Sequence, residues 1–108
     1  MPSVFIHIGA RGGSQGIKNK NLLKINKKPL IGIAIEQAKA ANKNCKLVVS
    51  SDSKKILNVS RKYGADILIK RPKNLSNSKT SKFSVWKNSI TFLEKNNFLK
   101  LNDFFLDI

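Results

Sequence analysis

The chain has 108 residues, with 21 lysines and arginines against 6 acidic residues, a formal net charge of +15 and one cysteine, Cys45. That length holds one small domain with a modest core, and a lone cysteine excludes an internal disulfide and, with nothing to pair with as a ligand, a structural metal site. The N-terminus, Met1-Pro-Ser-Val-Phe-Ile-His-Ile-Gly, has no basic segment followed by a long apolar core, which argues against a signal peptide or membrane span and makes a cytoplasmic protein without a membrane partner the expectation.

From Ser3 to Ile8 the residues are short in number and mainly β-branched or aromatic, as in a central strand buried on both faces. His7 lies inside it and is read as a packed residue with no chemical role. The residues from Asn21 to Lys28 are expected to cross the surface to a helix beginning near Pro29. Within Leu30 to Asn42, helical spacing of Leu30, Ile33, Ala34, Gln37, Ala38 and Ala41 predicts one apolar stripe against a sheet. Lys46 to Ser50 is a second strand. Asp52 or Ser53 caps a helix that carries Ile56, Val59 and Tyr63 on one side and stops at Gly64. A third strand, Asp66 to Lys70, is broken by Arg71-Pro72; a polar loop follows from Asn74 to Lys82. A helix from about Thr80 places Phe83, Trp86, Ile90 and Leu93 at three- and four-residue steps and ends at Asn96-Asn97, and Phe104 to Ile108 is a last strand. This β-α alternation predicts a parallel sheet flanked by helices, with ligands outside the carboxyl ends of the strands.

Three loops fall at that edge: Gly9 to Asn21, Ser50-Ser51-Asp52, and Arg71-Pro72 onward. In the first, Gly9, Gly12, Gly13 and Gly16 permit positive φ and close approach of a ligand, while Arg11, Lys18 and Lys20 supply positive charge, a combination suited to a phosphate chain. It contains neither Gly-x-Gly-x-x-Gly nor the Gly-Lys-Ser/Thr that closes a Walker loop. The overall positive charge by itself would suit nucleic acid. Its lysines, however, are spread from Lys18 to Lys100, only Arg11, Arg61 and Arg71 are arginines, and no basic stripe is interleaved with aromatics. Nucleic acid is therefore not the expected partner, and a small basic nucleic-acid-binding protein is the weaker alternative.

The string Ala10-Arg11-Gly12-Gly13-Ser14-Gln15-Gly16-Ile17-Lys18-Asn19-Lys20-Asn21, followed by Lys28-Pro29-Leu30-Ile31, resembles the N-terminal signature of the acylneuraminate (CMP-sialic acid) cytidylyltransferase family, A-R-x-G-S-x-x-I-x-x-K-N and then G-K-P-L-I. Val49-Ser50-Ser51-Asp52-Ser53 is similar to that family's V-S-T-D-D/S, Tyr63-Gly64-Ala65-Asp66 to its Y-G-A-E/D, and Arg71-Pro72 with Leu75 to its R-P-x-x-L. The resemblance implies an α/β parallel-sheet fold of the nucleotide-diphospho-sugar transferase type, Rossmann-like and GT-A-like. Residues 1–108 would form a single nucleotide-binding α/β domain, the N-terminal part of a longer protein. The strand from Asp103 to Ile108 stops without a turn or polar tail, and truncation at the C-terminus is the expectation.

By the same resemblance Arg11 and Lys20 bind the triphosphate of CTP and serve catalysis by offsetting its charge. Ala10 belongs to the same loop, and the backbone N–H groups of Gly12, Gly13 and Ser14 add anion contacts. Asn21 contacts the nucleotide, and Arg71 with Thr80 or Ser81 recognises the cytidine. A surface arginine and a helix N-cap are the plainer readings of those last positions. Ser78-Lys79-Thr80-Ser81 departs from the family's D-T-A-S by placing a base where an acid is usual. Mg²⁺ is the implied cofactor. Asp107 is a candidate to touch the metal or the cytidine, or is only a strand-end cap, since the family's principal metal-binding acids and much of its sugar-acid pocket lie further along. The implied reaction joins CMP from CTP to a nine-carbon sugar acid such as sialic acid, releasing pyrophosphate. Another sugar nucleotidyltransferase of the same fold is the alternative, and dimerisation of the full-length form is left open.

Overall fold

A computed structural model of the chain describes residues 4–10, 20–41, 44–72, 82–98 and 104–107, and of residues 20, 82 and 104–107 the backbone only. In chain order the elements are β1 (Val4–Gly9), a 3-10 turn (Lys20–Leu22), β2 (Lys24–Ile25), β3 (Lys28–Pro29), α1 (Leu30–Ala41), β4 (Cys45–Ser51), α2 (Lys54–Lys62), β5 (Ile67–Lys70), α3 (Lys82–Lys95) and β6 (Phe104–Asp107). Four strands form one sheet in the order β5-β4-β1-β6. Every pairing in it is parallel: β1 with β4, β1 with β6, and β4 with β5.

Strand alternation sorts the side chains of β1, β4 and β5 onto two faces. Ile6, Ile8, Leu47 and Val49 pack with Ile31, Ile35 and Ala38 of α1 and with Ile56 and Leu57 of α2. Phe5, Val48, Ile67 and Ile69 meet Leu93 of α3 on the other face. Burying each such aliphatic or aromatic side chain contributes about 1.5–3 kcal/mol, the main force holding the layers together.

The helix ends are built by local chemistry. Ser53 caps α2, its hydroxyl accepting the Ile56 N–H at 3.3 Å. At the other end Gly64 takes φ of 106°, with Gly64 N–H donating to Arg61 O and Ala65 N–H to Ser60 O, the bond pair of a Schellman stop. Asn97, at φ 59°, ends α3 the same way through Asn97 N–H to Glu94 O and Phe98 N–H to Leu93 O.

Three expectations are corrected. The stretch from Asn21 to Lys28 is not a plain surface crossing: β2 and β3 pair antiparallel across Asn26 and Lys27, both at positive φ. Asn tolerates that conformation, and the usual Asn-Gly marker of such a hairpin is missing. Pro29 is accordingly the last residue of β3 and not the first of the helix. The buried stripe of α1 is Ile31, Ile35 and Ala38 together with Gly32, while Gln37 and Ala41 are exposed. Aliphatic residues at 30, 31, 33, 34 and 35 supply two overlapping stripes, and Gly32 settles between them. A Cβ placed there would lie 3.0 Å from the Tyr63 ring, so the residue that ends α2 packs where α1 has no side chain. In α3 the inward residues are Ser89 and Leu93, whereas Phe83 is 69% exposed.

Candidate functional site

The chain leaves β1 to build β4 and β5 on one side of it and later returns to add β6 on the other. The carboxyl end of β1 is therefore the point where the winding reverses, the position at which open α/β sheets gather ligands. The glycine loop departs from there, immediately after Gly9 and Ala10.

At this edge the ends of β1, β4 and β5 are tied together through Ser50. Its carbonyl oxygen accepts the Ala10 N–H at 2.9 Å and Arg71 Nη2 at 3.0 Å, and its hydroxyl accepts Arg71 Nε at 3.2 Å. The Arg71 N–H donates to Ser51 O at 2.8 Å, so backbone and guanidinium of one residue hold the end of β4 together. Arg71 is only 5% exposed. From the end of β5 its side chain crosses β4 and reaches β1, where a Cβ on Gly9 would lie 3.0 Å from Nη2. A guanidinium stays charged at any physiological pH, so a fixed cation stands at the root of the glycine loop, and its hydrogen bonds offset part of the cost of burying that charge.

The neighbouring loop is shaped by the same residue types. Ser51 Oγ accepts the Ser53 N–H at 3.0 Å, turning the chain from β4 into α2, and Lys70 Nζ donates to Asp52 O at 2.8 Å.

Of the residues singled out from sequence, the structure brings Ala10 and Arg71 together through Ser50; Arg71 is a buried cross-strand residue and not a surface one. Lys20 and Asn21 form the 3-10 turn beside α1, and Leu22 of that turn packs against the core. Arg11, Gly12, Gly13, Ser14, Thr80 and Ser81 lie outside the described residues. Asp107 ends β6 in register with His7, two residues short of Gly9. His7 itself is fully buried and shares a 2.8 Å hydrogen bond with Ser89 Oγ of α3.

Ser50 and Gly9 were not legible as contacts of Arg71. Their one signal is that small residues, Gly9 and Ser50-Ser51, stand where the apolar runs of β1 and β4 end. Among the described residues no three His, Cys, Asp or Glu side chains gather into a cluster that could hold a metal ion.

A parallel sheet wound both ways from its first strand, with helices on both faces, defines the doubly wound α/β class of proteins. Within that class, the family model described as cytidylyltransferase matches residues 5–93, and the chain belongs to that family. It is 41% identical over 90 residues to CMP-N,N'-diacetyllegionaminic acid synthase of Campylobacter jejuni, a match covering 83% of this chain and 38% of that protein. Over 84 residues it is 38% identical to N-acylneuraminate cytidylyltransferase of Escherichia coli, covering 78% of this chain and 20% of that one. A solved structure of CMP:2-keto-3-deoxy-manno-octonic acid synthetase complexed with CTP superposes with a TM-score of 0.69 at 20% identity, over 98% of this chain and 39% of its own. That likeness concerns the fold. The chain spans well under half the length of these relatives.

Proposed function

We propose that the chain is the nucleotide-binding part of an enzyme that transfers CMP from CTP to a nonulosonic acid. The observation that supports this most is that the family match over residues 5–93 runs through all three loops of the carboxyl edge, including the Arg11-to-Asn21 string and Arg71. In the reaction the anomeric hydroxyl oxygen of the sugar acid attacks the α-phosphorus of CTP. A P–O bond to the sugar forms, the bond from the α-phosphorus to the bridging oxygen breaks, pyrophosphate leaves, and the hydroxyl proton passes to water.

Arg11 and Lys20 hold the triphosphate, the backbone N–H groups of Gly12, Gly13 and Ser14 orient it, and Asn21 and Arg71 engage the nucleoside. The chain contributes chiefly position and fixed positive charge, the means by which phosphoryl-type transfers are accelerated. No residue among those named is assigned as a general base.

Thermal denaturation with and without nucleotide tests the reading. CTP should raise Tm more than GTP does, because binding to the folded state alone stabilises it by mass action. Arg11→Ala should abolish the shift, and added DNA should not compete. Equal shifts with CTP and GTP would replace cytidine by another base, and no shift with any nucleotide would overturn the reading. The 108 residues alone are expected to release little pyrophosphate from CTP and a nonulosonic acid, since the 90 residues that match the legionaminic acid synthase cover 38% of its length.

A further inference from the structure

Arg71 sits against two residues, Ser50 and Gly9, that the family resemblance does not connect with it. Ser50 supplies two acceptors, the hydroxyl for Nε at 3.2 Å and the carbonyl for Nη2 at 3.0 Å. That same carbonyl accepts the Ala10 N–H at 2.9 Å, so Ser50 holds both the guanidinium and the residue that follows β1. Gly9 provides the room: a Cβ there would approach Nη2 to 3.0 Å, closer than ordinary packing allows. Ser50 is fully buried, and its hydroxyl has no solvent to exchange partners with.

From this geometry we infer that Ser50 and Gly9 are positioning residues for nucleotide binding, acting through Arg71. Ser50 orients the guanidinium and ties it to Ala10 at the end of β1, and Gly9 leaves open the space through which the guanidinium reaches β1. The inference rests on the proposed binding of CTP at this edge. It differs from a purely structural role in what it demands of variants. A residue that merely stabilises the sheet lowers Tm and leaves the affinity of the folded fraction unchanged. A positioning residue lowers affinity, and does so only while Arg71 is present.

The experiment is a double-mutant cycle read by calorimetric titration of CTP, at a temperature where circular dichroism shows each variant folded. Ser50→Ala removes the hydroxyl that accepts Nε, and Gly9→Ala pushes Nη2 aside without removing charge. Each should weaken CTP binding about tenfold in the otherwise natural chain, since an oriented charged hydrogen bond is lost, and neither should weaken it further in an Arg71→Ala background. Ser50→Thr, which keeps the hydroxyl, should restore most of the affinity. If Ser50→Ala fails to fold, Gly9→Ala carries the same test, because it keeps every hydrogen-bonding group. The inference is overturned if both variants bind CTP as the natural chain does, or if they weaken binding equally with and without Arg71. Failure of the natural chain itself to bind CTP would instead remove the functional reading, and this inference with it.

Discussion

The two faces of the sheet are built to different rules. Toward α1 and α2 the strands present Ile6, Ile8, Leu47 and Val49, all buried and all aliphatic. Toward α3 the same strands present Phe5 and Val48 but also His7, Gly9 and Ser50, with Arg71 laid across the end of that face and Ser89 meeting it from the helix. The first face can be filled by any well-packed set of hydrophobic side chains, because dispersion and the hydrophobic effect are non-directional. The second depends on distances: each buried polar group must find its partner or cost stability. The lesson is that one sheet divides stability and candidate function between its sides, and strand alternation allows it, since neighbouring residues in β1 and β4 serve opposite faces.

The contrast is broken most severely from the apolar side. Leu47→Ala should destabilise the fold by about 3 kcal/mol, as truncation of a fully buried leucine leaves a cavity. Urea denaturation measures this, and the folded variant should bind nucleotide as before; a loss under 1 kcal/mol would mean that this face is not the one that holds the layers. On the polar side Ser89→Ala should cost about 1.5 kcal/mol by depriving the buried His7 ring of its 2.8 Å hydrogen bond. Replacing that serine with no change in the denaturation midpoint would show the bond to be idle.

Smaller effects sharpen the comparison at its margins. Ser53→Ala should cost about 1 kcal/mol through loss of the α2 cap, whichever face the helix covers. The weakest effect is expected at Cys45, at the amino edge of the sheet, remote from the candidate site. Burial, reinforced by the nearby Asp66 carboxylate, pushes its thiol pKa above the ordinary cysteine value. Alkylation by iodoacetamide at pH 8 should therefore be slower than that of a free thiol and should accelerate only at higher pH. Modification there should leave CTP affinity unchanged. Reaction at the rate of glutathione would contradict that environment.

Much of this is legible in the amino-acid sequence alone. The strands are apolar runs and α2 carries its own cap and glycine stop, so they are marked by neighbours within a few residues. Gly9 to Asn21, Ser50 to Asp52 and Arg71-Pro72 could be assigned to one edge because β-α alternation makes the strands parallel. The family string around Arg11 and Lys20 was legible for the same reason, being contiguous. The hairpin at Asn26-Lys27 was not, because its positive φ values occur without the glycine that usually announces them.

By itself, then, the amino-acid sequence marked the strands of the main sheet and its three helices, though not the hairpin at Asn26-Lys27, and showed which loop is chemically suited to a polyphosphate, since these properties arise from local periodicity and local residue chemistry. Only tertiary structure decided that α1 turns Ile31 and Ile35 inward, that Phe83 faces outward, and that Arg71 is buried across Ser50 toward Gly9. Those outcomes depend on contacts between residues distant along the chain, such as His7 and Ser89, 82 positions apart. Competing faces of similar hydrophobicity are separated only when neighbouring elements pack and one arrangement leaves less empty space and fewer unpaired polar groups than the other.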